Sequence, residues 1–250
     1  MFIHDTIILN TTLPKGHHVQ ISTTKYPMQN PIQNINLSTQ PAILKRNLPW
    51  LLISSLLMGI IYLTTNHISH QTIYNNYLFD FETHIPFLAW TVLPYFGALF
   101  WSFMIPLFVE NRQHLMVILS VNGIGFLFNT FIWVMTPVSY PRPQLRFEDP
   151  SLTEYLYQSL IVIDTPLNSF PSEHVTLMAI LIWVASAYSG KLKWFFIFLG
   201  VCGILSVFTT KQHSLVDAIA GCLAMFIGYI LVIIYVHSLR RNNVRNEEEE

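Results

Sequence analysis

His213 and Asp217 stand four residues apart in the stretch KQHSLVD (211–217). At that spacing on a helix the two side chains share a face. A carboxylate so placed holds one imidazole nitrogen and leaves the other pointing at a substrate, the orienter-and-base logic of a catalytic triad reduced to two members. Asp217 also lies one turn inside an apolar run. An ionisable group there costs about 2.5–3.5 kcal/mol on insertion scales, so it is usually paired and usually functional. A purely structural His–Asp pair satisfies the same constraint.

A second imidazole, His174, follows Ser172 and Glu173 in SFPSEHVTLMAI (169–180). Ser172 is suited to cap a helix, and the unpaired amides and dipole of a helix start attract an anion. Taken alone, this fragment reads equally as a cap and an interfacial histidine. Arg142, in SYPRPQLRF, offers a planar fork suited to phosphate oxygens, and Lys211 a compact charge. Either one alone would also suit a lipid headgroup. Together, two histidines, an aspartate, a Ser-capped helix start and two cations describe a phosphoryl-transfer site. One imidazole attacks phosphorus, the other protonates the leaving oxygen, and the cations and helix start stabilise the developing charge. A zinc site built from His174, His213, Asp217 and either Asp164 or Glu173 is the competing reading. Against it, the chain has no H-x-x-x-H or H-E-x-x-H pair in these stretches, and two nearby cations would oppose a dication.

The elements that must carry these residues are apolar. The 250-residue chain is 52% hydrophobic and only 11% charged, with a net charge of -1. That composition suits an integral membrane protein and gives no basic bulk for nucleic acid. Apolar runs fall at about 48–64, 86–109, 115–136, 172–189, 192–209 and 214–237. Each approaches the length a helix needs to cross hydrocarbon, and none shows the strict alternation of a barrel strand. The expectation is an all-α, polytopic membrane protein with a six-helix transmembrane bundle. A polar N-terminal tail (1–47) and a charged C-terminal tail (238–250) would flank the membrane domain (48–237). Cys202 and Cys222 sit inside apolar runs and read as packing residues without a disulfide.

Orientation follows from the cations. With both termini cytoplasmic, Lys15, Lys25, Lys45, Arg46, Arg112, Lys191, Lys193, Arg240, Arg241 and Arg245 lie inside, and only Arg142, Arg146 and Lys211 outside. That is the bias the positive-inside rule expects. The three exceptions gather on the side of Ser172 and His174, where an anion would need them.

The stretches RP (142–143), PSEH (171–174) and SVFTTKQHSLVD (206–217) together resemble, in order and spacing, the three motifs of the type 2 phosphatidic acid phosphatase superfamily. The wider strings HIPFLAW, DTPLNSFPSEH and KQHSLVDAIAG are most similar to the branch that includes inositol phosphorylceramide synthase-like transferases and many bacterial lipid phosphatases. The resemblance implies a phosphohistidine on His213, oriented by Asp217, with His174 as acid for the leaving group. It implies that Ser172, Arg142 and the backbone around Glu173 hold phosphate oxygens, and that no metal or other cofactor is needed. Asp164 and Asn168 are expected to shape the pocket. Three positions depart from the motifs: Met135 and Val207 stand where they carry a Lys and an Arg, and Glu173 where they carry a Gly. Lys211 is expected to replace the missing charge. The implied activity is hydrolysis of a lipid phosphate or diphosphate in the bilayer, with the site on the non-cytoplasmic face. The short loops and the lack of an organelle signal fit a bacterial inner membrane, which would put the site on the periplasmic side. The alternatives are transfer of a phospho-headgroup to a hydroxyl acceptor, or binding or transport of a lipid phosphate without catalysis. The sequence does not define an oligomeric state.

Overall fold

The computed structural model describes residues 34–67, 73–75, 77–143, 145 and 147–249. The expected tail as far as residue 33, with Lys15 and Lys25, and the outer cation Arg146 lie outside them. The described chain is mostly helical. In order, the helices are α1 (Pro41–His67), α2 (Asp80–Thr83), α3 (Val92–Met104), α4 (Arg112–Met135), α5 (Leu152–Ile163), α6 (Glu173–Ala187), α7 (Lys193–Thr209) and α8 (Leu215–Glu249). Short 3₁₀ turns, Ala89–Thr91 and Ile105–Phe108, extend α3 at both ends. Two-residue strands β1 (Tyr74–Asn75) and β2 (Val138–Ser139) pair in parallel.

Four segments are long and apolar enough to cross a membrane: Pro41–His67, Ala89–Phe108, Arg112–Met135 and Leu215–Leu239. The remaining two apolar runs form the shorter helices α6, of 15 residues, and α7, of 17. At 1.5 Å per residue these reach only about 22–26 Å. α6 is nonetheless the centre of the packing. It lies against α3, α4, α7 and α8, and most of its side chains are buried. Its apolarity serves a protein core as much as a lipid face.

The apolar helices alternate in direction, and side-chain bonds mark both ends of the bundle. At one end, Asn47 and Arg46 of α1 donate to the carbonyls of Val109, and Arg46 also to that of Glu110. Ile35 donates from its backbone to Ala187, at the end of α6. At the other end, Asn66 of α1 bonds Thr165, Trp133 of α4 bonds the Pro171 carbonyl, and Thr91 before α3 bonds Thr209 of α7. The starts of α6 and α8 lie at this second end, with Arg142, His174, Lys211 and His213.

Element limits differ from the apolar runs for a physical reason. α1 begins at Pro41, because Lys45, Arg46 and Asn47 are polar yet helical, and the side chains of Arg46 and Asn47 bond the carbonyls of the facing turn. α8 continues past the apolar run to Glu249, since loss of apolarity marks the end of a membrane-compatible segment and not of a helix. α5 carries no continuous apolar run. Its sequence signal is the S-x-x-E capping box of Ser151 and Glu154, whose side chains cap each other's backbone amides.

Close approach between α6 and α8 requires a missing side chain. A Cβ on Gly221 would collide with the Ser172 carbonyl oxygen and come within 3.1 Å of the Val175 Cβ. Thr176 closes the same contact, donating from its hydroxyl toward the Gly221 carbonyl at 3.0 Å. Gly221→Ala should therefore destabilise the protein by about 1–3 kcal/mol, the range for overpacking. Gly59→Ala is the control, since nothing lies within 4 Å of a Cβ there. It should be neutral or stabilising by about 0.5–1 kcal/mol through helix propensity alone. Thermal unfolding of both variants in detergent checks the pair.

Candidate active site

His213 sits in the turn between α7 and α8 and is 3% exposed. Its Nδ1 lies 3.0 Å from the Ser169 carbonyl oxygen and 3.5 Å from Asp217 Oδ2. A carbonyl only accepts, so Nδ1 carries the hydrogen and Nε2 keeps its lone pair. Nε2 in turn lies 3.1 Å from His174 Nδ1. The second imidazole therefore donates to the first. An Nε2 lone pair held by a fixed Nδ1–H bond is a competent nucleophile or base.

Asp217 does more than face the histidine. Its Oδ2 accepts from the Ser214 amide at 2.9 Å, and its own amide donates to Ser214 Oγ at 3.2 Å. This reciprocal cap fixes the first turn of α8. The amide of Leu215, the first residue of α8, donates to Glu82 Oε1 at 2.6 Å. Glu82, buried in α2, thus reaches across to hold the same helix start.

Ser172 caps α6, accepting the Val175 amide at 3.2 Å, and is fully buried. That bond uses an oxygen lone pair, so the hydroxyl hydrogen stays available to donate. Glu173 turns away from this mouth. Its Oε2 accepts from Asn129 Nδ2 of α4 at 2.7 Å, and Asn129 also bonds Thr176. The carboxyl group fills an interhelical slot, and at the site only the Glu173 backbone takes part in the helix start.

Arg142 reaches in from the segment after β2. Its Nη2 bonds Asp164 Oδ2 at 2.8 Å, its Nη1 bonds the Asp164 carbonyl oxygen, and its Nε is buried without a partner. Asp164 Oδ1 accepts from the Tyr62 hydroxyl at 2.5 Å. Burial pushes the Asp164 carboxyl up, but the charges of His174 and Arg142, with the bonds from Tyr62 and Arg142, outweigh it and hold the group below its ordinary value. Tyr62 and Tyr95 flank His174, with ring centroids at 6.0 and 5.4 Å.

The structure thus brings His174, His213, Asp217, Ser172, Arg142 and Asp164 to one place. Two expected site residues are engaged otherwise. Lys211, at a positive φ of 55°, directs its ammonium to the carbonyls of Ile85 at 2.5 Å and Glu82 at 3.4 Å. Burial pushes this ammonium down, with Glu82 opposing. Asn168 donates to Thr65 Oγ1 at 3.0 Å and the Tyr62 carbonyl at 3.4 Å, tying its loop to α1. Met135 is exposed at the end of α4, and Val207 is buried in α7. Among the described residues, no three His, Cys, Asp or Glu side chains are grouped to hold a metal ion. Sequence reasoning missed Tyr62, Tyr95, Ser169, Glu82 and Asn129. Of these, only the polar or acidic residues within or beside apolar runs gave a signal.

The family model of the PAP2 superfamily matches residues 114–243, just over half of the chain, and includes every stretch that carries the two histidines, Asp217 and Arg142. This chain belongs to the PAP2 superfamily. No curated protein matches it. The PAP2 superfamily contains phosphatases and related phosphotransferases, and the four apolar helices long enough to span a bilayer are consistent with a multi-pass membrane protein.

The Asp164–Arg142 pair yields a pH dependence. A carboxyl depressed by folding contributes stability above its unfolded pKa of about 3.9 and loses it as pH falls through the folded value. Asp164→Asn should therefore destabilise the protein at pH 7 by about 3–5 kcal/mol, the cost of leaving a buried partner uncompensated. The gap to wild type should close at acid pH, where the native carboxyl is itself protonated. Unfolding curves at neutral and acid pH measure it, and equal stabilities at pH 7 would contradict the pairing.

Proposed function

We propose that this PAP2-superfamily chain is a membrane enzyme that hydrolyses a lipid phosphate or diphosphate through a phosphohistidine on His213. The observation that carries the reading is the His213 ring itself. Its Nδ1–H is held by the Ser169 carbonyl, and its Nε2 faces His174 at 3.1 Å. In the first step Nε2 of neutral His213 attacks phosphorus and the bond to the leaving oxygen breaks, with His174, entering as imidazolium, giving that oxygen a proton and becoming neutral. In the second, His174 takes a proton from water, the water oxygen bonds phosphorus, and the nitrogen–phosphorus bond breaks. Arg142, Ser172 and the start of α6 hold the non-bridging oxygens. Asp217 supports the His213 ring, and Asp164 and Asn168 brace the surrounding loop. Lys211 acts on the site through the loop it fastens, with its charge beside α2.

Six apolar helices crossing the bilayer, both termini in the cytoplasm and the site at the non-cytoplasmic face complete the reading. The cation distribution supports it. Arg46, Arg112 and Lys193 belong to the end of the bundle opposite the histidines, while Arg142 and Lys211 accompany them. Residues 48–237 then form the membrane domain, in a bacterial inner membrane with a periplasmic site.

The test is a panel of phosphatidic acid, prenyl diphosphate and related lipids in mixed micelles with chelator present. Phosphate release should occur, and His213→Ala should lower it by several orders of magnitude, since it removes the nucleophile. No release on any lipid, or release abolished by the chelator, would sink the reading. Products labelled in an added alcohol would instead assign the phosphoryl group to a hydroxyl acceptor.

A further inference from the structure

Tyr95 plays no part in the scheme above. It projects from the first turns of α3, is fully buried, and packs its ring 5.4 Å from that of His174 at 52°. Its hydroxyl is buried and makes no hydrogen bond. A phenylalanine would fill this space without the cost of an unmet hydroxyl. On the other flank of His174, the Tyr62 hydroxyl is satisfied by Asp164.

Four neighbouring acceptors already receive a donor. Asp164 Oδ1 receives Tyr62 and Oδ2 receives Arg142, the Ser169 carbonyl receives His213, and His213 Nε2 receives His174. A second buried donor in this group, Arg142 Nε, is also open. Tyr62, which donates to Asp164, and Tyr95 both pack against the His174 ring. Two unmet donors from different elements, one on a ring packed against His174 and one on the guanidinium that pairs with Asp164, call for a ligand rich in acceptors.

We propose that the Tyr95 hydroxyl donates to a non-bridging oxygen of the bound phosphoryl group, with Arg142 Nε–H as a second donor to that group. Tyr95 is then a substrate-contacting residue that none of the three motif stretches contains. The inference deepens the phosphoryl-transfer reading and rests on it.

Tyr95→Phe tests it, because the variant removes an oxygen that has no partner in the resting protein. Its thermal unfolding should match or exceed that of wild type. Against a lipid phosphate turned over by wild type, kcat/KM should fall about 10- to 100-fold, the worth of one hydrogen bond to a charged group. The inhibition constant for inorganic phosphate should rise in the same direction. Activity and phosphate inhibition within twofold of wild type would overturn the assignment. So would a lowered unfolding temperature with unchanged phosphate inhibition, which would make Tyr95 a packing residue. If wild type turns over no lipid phosphate, the catalytic reading fails separately. Thermal protection by inorganic phosphate then decides the point: protection present in wild type and lost in Tyr95→Phe supports the contact, and equal protection, or none in either protein, overturns it.

Discussion

The polar end of this bundle depends on how closely the starts of α6 and α8 approach. The Ser172 amide donates to the Asp217 carbonyl at 3.2 Å, and Gly221 one turn later leaves space for the Ser172 carbonyl. Two helix starts from distant parts of the chain are thereby joined backbone to backbone. Each start carries one histidine beside it, so their separation is set by main-chain geometry. The two histidines are thereby held close in an apolar surround, where helix–helix contact relies on close packing and small residues.

Around that joint, each buried charge is given a local answer. Asp164 receives Arg142 and Tyr62, Glu82 accepts the first amide of α8, and Glu173 takes the amide of Asn129. Such pairing is what makes ionisable groups tolerable among apolar helices. Glu173 is instructive because it stands where the motif has glycine. Its carboxyl would repel an anion at the helix mouth, yet it is drawn sideways to α4. The substitution therefore adds an interhelical link while leaving the backbone at the helix start in place.

Much of this was legible beforehand, and the reasons divide cleanly. The six apolar runs each coincide with a helix, because continuous apolarity over that length leaves the backbone few other ways to satisfy itself. The convergence of RP, PSEH and KQHSLVD was foreseeable from alternation of helix direction and from motif order. Lys211 reads as a phosphate cation from its charge, its place at the outer helix ends and the missing motif Arg, while in the structure its ammonium meets the carbonyls of Glu82 and Ile85, partners that its sequence neighbours do not announce. Tyr62, Tyr95 and Asn129 lie inside apolar runs, where an isolated polar atom looks like ordinary packing until its neighbour on another helix is known. The Ser169 carbonyl left no trace at all, since any residue type supplies one.

The hydrogen bond between the two imidazoles has a further consequence. At 3.1 Å the nitrogens leave no room for a phosphorus atom and its oxygens between them. Any ligand that reaches His213 Nε2 must first push the His174 ring aside, in a cage bounded by Tyr62 and Tyr95. In the arrangement observed, His174 Nδ1 occupies the position in front of the His213 Nε2 lone pair. On the proposed phosphoryl-transfer reading, parting the two rings must precede any contact between phosphorus and His213.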